Sequence, residues 1–257
     1  MTDQVLKPTV LVKSQVSPAE WQLRVDLAAA YRLVALYGWD DLIFTHISAR
    51  VPGSENYFLI NPYGLMFEEV TASSLVKVDF DGNKVMASEY QVNPAGFTIH
   101  SAIHQARQDG HCVMHTHTLN GVAVSAQQEG LLPLSQQSLF VLAGLSYHDY
   151  EGVALREDEK PRLVADLGKN NFMILRNHGL LTCGSTIADT FLAMYILESS
   201  CAIQLKAQST DKLTFVPDSI TRTMKEQASQ VTNNMGGALA WPGLLRKLDR
   251  QDPSFRN

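Results

Sequence analysis

The stretch CVMHTHT, residues 112–118, sets two histidines one residue apart at the end of an apolar run. Successive side chains on an extended strand alternate sides, so residues 113, 115 and 117 share one face while 112, 114 and 116 share the other. His115 and His117 therefore project together, close enough for both imidazoles to reach one ion. Imidazole suits zinc, iron, nickel or copper. The plainer alternative is a pair of polar residues at an exposed strand end. Farther along, NFMILRN is a buried run that leads straight into His178, and Gly179 lets the backbone change direction there. His178 is placed either to supply a third ligand or to bond a backbone group in its loop. Three imidazoles leave positions open for water or substrate, which is how catalytic metals are usually held.

Other side chains compete for the role. His100 and His104 share a helix face at i, i+4, but that helix lacks the glutamate of an H-E-x-x-H zinc motif. They sit at the border of an apolar stripe, where hydrogen-bonding histidines are common. His46 and His148 have no partner at a diagnostic spacing. Glu198 falls on the apolar stripe of a long helix, either paired with the free N–H of a metal-bound histidine or reaching solvent at a groove edge. Cys112 points away from His115.

Elements must bring these residues together. Residues 1–16 read as an N-terminal arm without periodicity, and 17–257 as one domain that includes a C-terminal extension. In SPAE, Ser17 is an N-cap, Pro18 opens a helix and Gly38 offers its stop. Residues 42–87 read as short strands, with a hairpin turn at Asp81-Gly82. A helix from about Phe97 to Arg107, the strand HCVMH, a helix over 119–128 and one or two strands over 137–147 follow. A helix begins near Pro161, then come the strand NFMILRN, the turn HGLLTCG and a helix over about 185–208. The C-terminal WPGLLRKLDRQDPSFRN is apolar enough to dock.

The totals narrow the function. A chain of 257 residues with 45% hydrophobic and 18% charged residues can bury a large core. A formal charge of −5 with no basic stripe argues against a nucleic-acid partner. No apolar run approaches the roughly 18 residues needed to span a membrane. Three scattered cysteines fit a reducing cytoplasm better than a disulfide framework.

HTHT, the later NHGLL with its long helix, and FTHISARVPGSENYFLINPYGLMFEEVTASSLVKVDFDG together resemble the class II aldolase/adducin family, and the last of them its adducin-type branch. The likeness runs from about Glu20 to Gln208. It implies an α/β fold, a three-layer α/β/α sandwich with a mostly antiparallel central sheet. It also implies a homo-oligomer, typically a tetramer, with active sites near subunit interfaces. The resemblance assigns His115, His117 and His178 to zinc or another divalent transition metal, acting as a Lewis acid on an enediolate while a C–C bond breaks or forms. Adducins lack the second histidine of the pair.

The departures from the family pattern bear on mechanism. Gly96, in NPAGFTIH, stands where sugar-phosphate aldolases carry their acid/base carboxylate, and a glycine cannot move a proton. His46, in THIS, replaces an expected asparagine of the phosphate cradle, and Asn61 to Gly64, NPYG, replace a Thr-Gly or Ser-Gly element. LSQQSLF lacks the tyrosine expected there. The substrate contacts assigned by the resemblance are therefore His46, Asn61, Gly64 and Gly96. The expected function is a metal-dependent lyase acting on a small oxygenated carbonyl substrate, by aldol cleavage or decarboxylation. His46, Glu198, Tyr63 or a metal-bound hydroxide are the candidate bases. The alternative is an adducin-type, non-catalytic, metal-bearing scaffold.

Overall fold

The computed structural model describes residues 9–54, 56–153, 156–210, 212–221, 227 and 236–257. A short helix, α1 (Thr9–Gln15), lies where the sequence reads as an arm, and residues 1–8 of that arm fall outside the described residues. Capping starts the first long helix: Ser17 accepts the Glu20 N–H at 3.1 Å, and Pro18 opens α2 (Pro18–Leu36).

Among the described residues seven strands form one sheet: β1 (His46–Arg50), β2 (Tyr57–Ile60), β3 (Val76–Asp79), β4 (Cys112–Thr116), β5 (Leu145–His148), β6 (Phe172–Leu175) and β7 (Gly179–Gly184). Their order is β3-β2-β1-β4-β7-β6-β5, and every adjacent pair is antiparallel except β5 with β6. The expected turn HGLLTCG is in fact β7, an inner strand. Its small and β-compatible residues suit a strand buried on both faces.

Helices cover both faces. On one side α2, α4 (Leu119–Ser125), α5 (Gln136–Leu142), α7 (Ile187–Ala207) and the C-terminal helix Gly236–Asp249 pack over Ile47, Met114, Ile174 and Leu180. On the other, α3 (Pro94–Ala106) and α6 (Lys160–Leu167) cover Val113, Met173, Leu181 and Cys183. Strand alternation thus sends Val113 and His115 to the α3 side.

Two expected elements shift. Residues 137–147, read as strands, form α5 followed by β5. Ser135 accepts the Ser138 N–H at 3.1 Å and Ser138 answers at the Ser135 N–H, a reciprocal cap that commits the apolar run to helix. Helix α3 starts earlier than Phe97 because Asn93 caps it, accepting the Ala95 N–H at 3.1 Å with Pro94 in the first turn. The C-terminus docks: Phe255 is buried, its carbonyl accepts the Ala72 N–H at 3.0 Å, and Trp241 donates its indole N–H to Asp26 at 3.0 Å. Among the described residues no helix is long and apolar enough to cross a membrane.

Candidate metal centre and its cavity

Because β4 and β7 run antiparallel, the end of one lies beside the start of the other. Thr116 pairs with Leu180 and His115 with Leu181. His115 stands near the end of β4, His117 just past it and His178 immediately before β7, so residues far apart in sequence meet at one edge. The ring centroids lie 4.7 Å apart for His115–His117 and His115–His178, and 4.8 Å apart for His117–His178. One nitrogen from each ring falls within 4.8 Å of the others, a set able to hold a metal ion. Gly179 makes the approach possible: a Cβ there would sit 2.4 Å from the Thr116 carbonyl oxygen and 3.2 Å from the His117 ring. Asn177 and Leu42, beside the site residues His178 and Asp41, are the two described non-glycine residues with positive φ, at 55° and 51°.

Hydrogen bonds set the tautomers. The Nδ1 of His115 donates to the Leu180 carbonyl at 2.9 Å, and the Nδ1 of His117 to the Asp41 carboxylate at 2.9 Å. Both partners only accept, so in the neutral rings both Nε2 atoms are bare. Those two Nε2 atoms are 2.9 Å apart. Lone pairs facing each other at that distance repel unless a proton or a cation lies between them. The donor chemistry therefore fits a divalent transition metal, with Asp41 as the carboxylate that orients a ligating imidazole. Burial holds His115 well below the usual histidine pKa, and burial together with neighbouring His117 pulls His178 down to about 4. Neutral imidazoles are the form that binds metal.

A cavity of about 340 Å³ opens over the three rings. His46, Tyr63, Asn93 and Ile99 line it, with Phe44, Tyr150 and Val153 at the mouth. Among the described residues that line it there is no lysine or arginine, and Asp41 is the one carboxylate.

Residues 25–205 match the Class II Aldolase and Adducin N-terminal domain. The chain belongs to the class II aldolase and adducin family. A protein of Pseudomonas aeruginosa, whose name places it with the class 2 aldolases, is 64% identical over 249 residues, covering 95% of this chain and 96% of its own. Rat alpha-adducin is 47% identical over 187 residues, 72% of this chain but 25% of the adducin. The solved L-fuculose 1-phosphate aldolase of Glaciozyma antarctica superimposes with a TM-score of 0.81 at 26% identity, over 93% of each chain. The class II aldolase fold is the one observed here.

Of the candidate substrate contacts and bases, His46 and Tyr63 reach the cavity. Gly96 lies against His46: a Cβ on Gly96 would be 2.4 Å from the His46 Cδ2. Asn61 and Gly64 do not line the cavity. Asn61 is buried with its side-chain oxygen 2.9 Å from the Tyr31 hydroxyl, and Gly64 sits at φ +108° in a turn. Glu198 is not a partner of any metal-site histidine, contrary to one sequence-based expectation. Its carboxylate accepts from the Thr118 hydroxyl and from Asn120 at 2.7 Å, and burial raises its pKa. Helical periodicity gave its face but not its neighbours. His148 instead pairs with Asp166 at 2.7 Å. Asp41 was missed, because a loop aspartate carries no spacing signal.

Proposed function

We propose that this chain is a divalent-metal-dependent carbon–carbon lyase that cleaves a small, oxygen-rich, non-phosphorylated carbonyl compound by aldol cleavage, decarboxylation being the related alternative. The observation that carries this reading is the trio of histidines, His115, His117 and His178, converging on one point at the floor of an open cavity. Zinc or a similar ion held there supplies Lewis-acid stabilisation of developing oxyanion charge.

The chain's own residues do the rest. Leu180 and Asp41 hold two of the rings with their Nε2 atoms turned inward. Phe44, Tyr150 and Val153 narrow the mouth and limit water. With no lysine or arginine in the lining, a phosphate group would have no cationic side chain to pair with. This supports a substrate that is not phosphorylated, unlike the sugar phosphate named for the Glaciozyma enzyme.

Phe44, Tyr150 and Val153 are 47%, 55% and 66% exposed, and Leu119 beside the site is 88% exposed. This apolar surface around the mouth supports a homo-oligomer, a tetramer in our reading, that closes over the cavity. Three free, buried cysteines, Cys112, Cys183 and Cys201, support a reducing, cytoplasmic setting.

The deciding experiment loads purified protein with zinc and assays C–C cleavage across hydroxy-aldehydes, hydroxy-ketones and 2-oxo acids. Turnover lost on chelation, restored by zinc and absent in His178→Ala supports the lyase. Full metal occupancy with no turnover on any compound favours the second reading, an adducin-like metal-bearing scaffold. Gly96, which leaves position 96 without a carboxylate, is the observation on that side.

A further inference from the structure

Three more buried histidines stand behind the metal centre, joined through one serine. His104 Nδ1 lies 2.8 Å from the Gly110 carbonyl oxygen. A carbonyl oxygen only accepts, so His104 carries its proton on Nδ1. Its Nε2 is then an acceptor, 2.7 Å from Ser48 Oγ, and the Ser48 hydroxyl donates there. With its single proton so placed, Ser48 Oγ must accept from His100 Nδ1, its other ring contact. His100 Nε2 is left as an acceptor and takes the Nδ1–H of His46 at 2.8 Å. Every step follows from the one before, and the first is fixed by the backbone. The relay ends on His46 Nε2, which carries no proton and has no hydrogen-bond partner among the described residues.

The deduction requires neutral rings, and their surroundings provide that. His46, His100 and His104 are 2%, 0% and 0% exposed, and among the described residues no carboxylate hydrogen-bonds to the relay. Burial, the largest cause, lowers His104 to about 3 and His100 well below its usual value.

A second observation places the bare nitrogen. A Cβ on Gly96 would lie 2.4, 2.7 and 2.9 Å from the Cδ2, Cγ and Nε2 of His46. The His46 ring thus occupies the seat from which a side chain on residue 96 would enter the cavity. It does so beside the metal centre, with its centroid 5.1 Å from that of His115.

We propose that His46 determines which substrate is accepted: its bare Nε2, locked by the Gly110–His104–Ser48–His100 relay and seated in place of a residue 96 side chain, receives the O–H of a hydroxyl next to the carbonyl held at the metal centre. The substrate class is an α-hydroxy carbonyl compound. A carboxylate at position 96 would bring a charge, whereas His46 offers a neutral acceptor. A ligand presenting a second carbonyl or carboxylate oxygen there sets lone pair against lone pair and is rejected. The proposal rests on the open metal site argued above.

Two measurements test it separately from that reading. Long-range proton–nitrogen NMR of ¹⁵N-histidine-labelled, metal-free protein reads the tautomers directly. His46, His100 and His104 are expected as Nδ1–H forms, and an Nε2–H form at His46 overturns the proposal. The second measurement uses zinc-loaded protein with acetohydroxamate and glycolohydroxamate, chelators that differ by one hydroxyl. Wild type is expected to bind the hydroxylated probe about three- to tenfold more tightly, the range of one hydrogen bond. Ser48→Ala, which breaks the relay, should mix the His46 tautomers and shrink that preference. Equal binding of both probes by wild type overturns the acceptor role while leaving the metal site standing. Binding of neither probe overturns the open metal site instead. Should Ser48→Ala fail to fold, the wild-type tautomer and probe preference decide alone.

Discussion

His46 and Gly96 exclude each other's side chains: a methyl group on residue 96 would stand 2.4 Å from a ring carbon of His46. The missing carboxylate and the unusual histidine are therefore one feature. Gly96→Ala is expected to destabilise the fold by about 1–3 kcal/mol, the usual cost of overpacking a filled core. In a His46→Ala background the same change should be close to neutral. A urea-denaturation cycle measures the coupling, and additive effects would refute the steric account.

Asp41 holds His117 with its Nε2 turned inward. Removing the carboxylate as Asp41→Ala should weaken zinc binding about 10- to 100-fold, as is typical for a carboxylate behind a ligating histidine. Asp41→Asn keeps an acceptor and should lose less. Competition against a chromophoric chelator reads both, and unchanged affinity in Asp41→Ala would remove Asp41 from the site.

Acid should unfold this protein through its buried relay. His104 is lowered to about 3 and His100 well below its usual value, so the folded state refuses protons that the unfolded chain takes up. With folded pKa values depressed, the stability contributed by neutral rings is complete above about pH 6.5 and is lost as pH falls through the range down to about 3. These two residues alone give a slope of up to about 2.7 kcal/mol per pH unit. Urea titrations of chelator-treated protein between pH 7 and 4.5 check this, and His104→Gln should reduce the slope by about half. A flat profile is incompatible with neutral buried rings.

Glu198 is bonded to Thr118 and Asn120 outside the cavity lining, so its removal is expected to cost stability rather than metal. Glu198→Ala strands Thr118 and Asn120 and should cost about 1–3 kcal/mol. Zinc stoichiometry by elemental analysis should remain that of wild type. Loss of the metal from a folded Glu198→Ala protein would return Glu198 to the candidate ligands' immediate partners.

The part of the site that was legible in the sequence is the part built by periodicity. Strand alternation put His115 and His117 on one face, while His178, left open by its own surroundings, was assigned as the third ring by the family resemblance. What periodicity cannot give is the neighbour across a fold. The i, i+4 spacing of His100 and His104 put both on one face of α3, yet only the pairing of β1 with β4 brings Ser48 and His46 against them. Asp41 was invisible for the same reason. Of the one or two strands expected over 137–147, only β5 forms: an apolar run of that length is ambiguous between periods, and the Ser135–Ser138 cap decides for helix over its first part.

The convergence of β4 and β7 at Gly179 divides the site between two kinds of support. The three clustered histidine rings are carried by the middle of the sheet, while Tyr150, Gly152 and Val153 of the cavity wall come from the connection after β5. Changes in that connection can recut the mouth without moving the floor. A lineage built this way can keep one reaction and exchange the molecules it accepts, or lose turnover and retain the metal as a fastening for assembly.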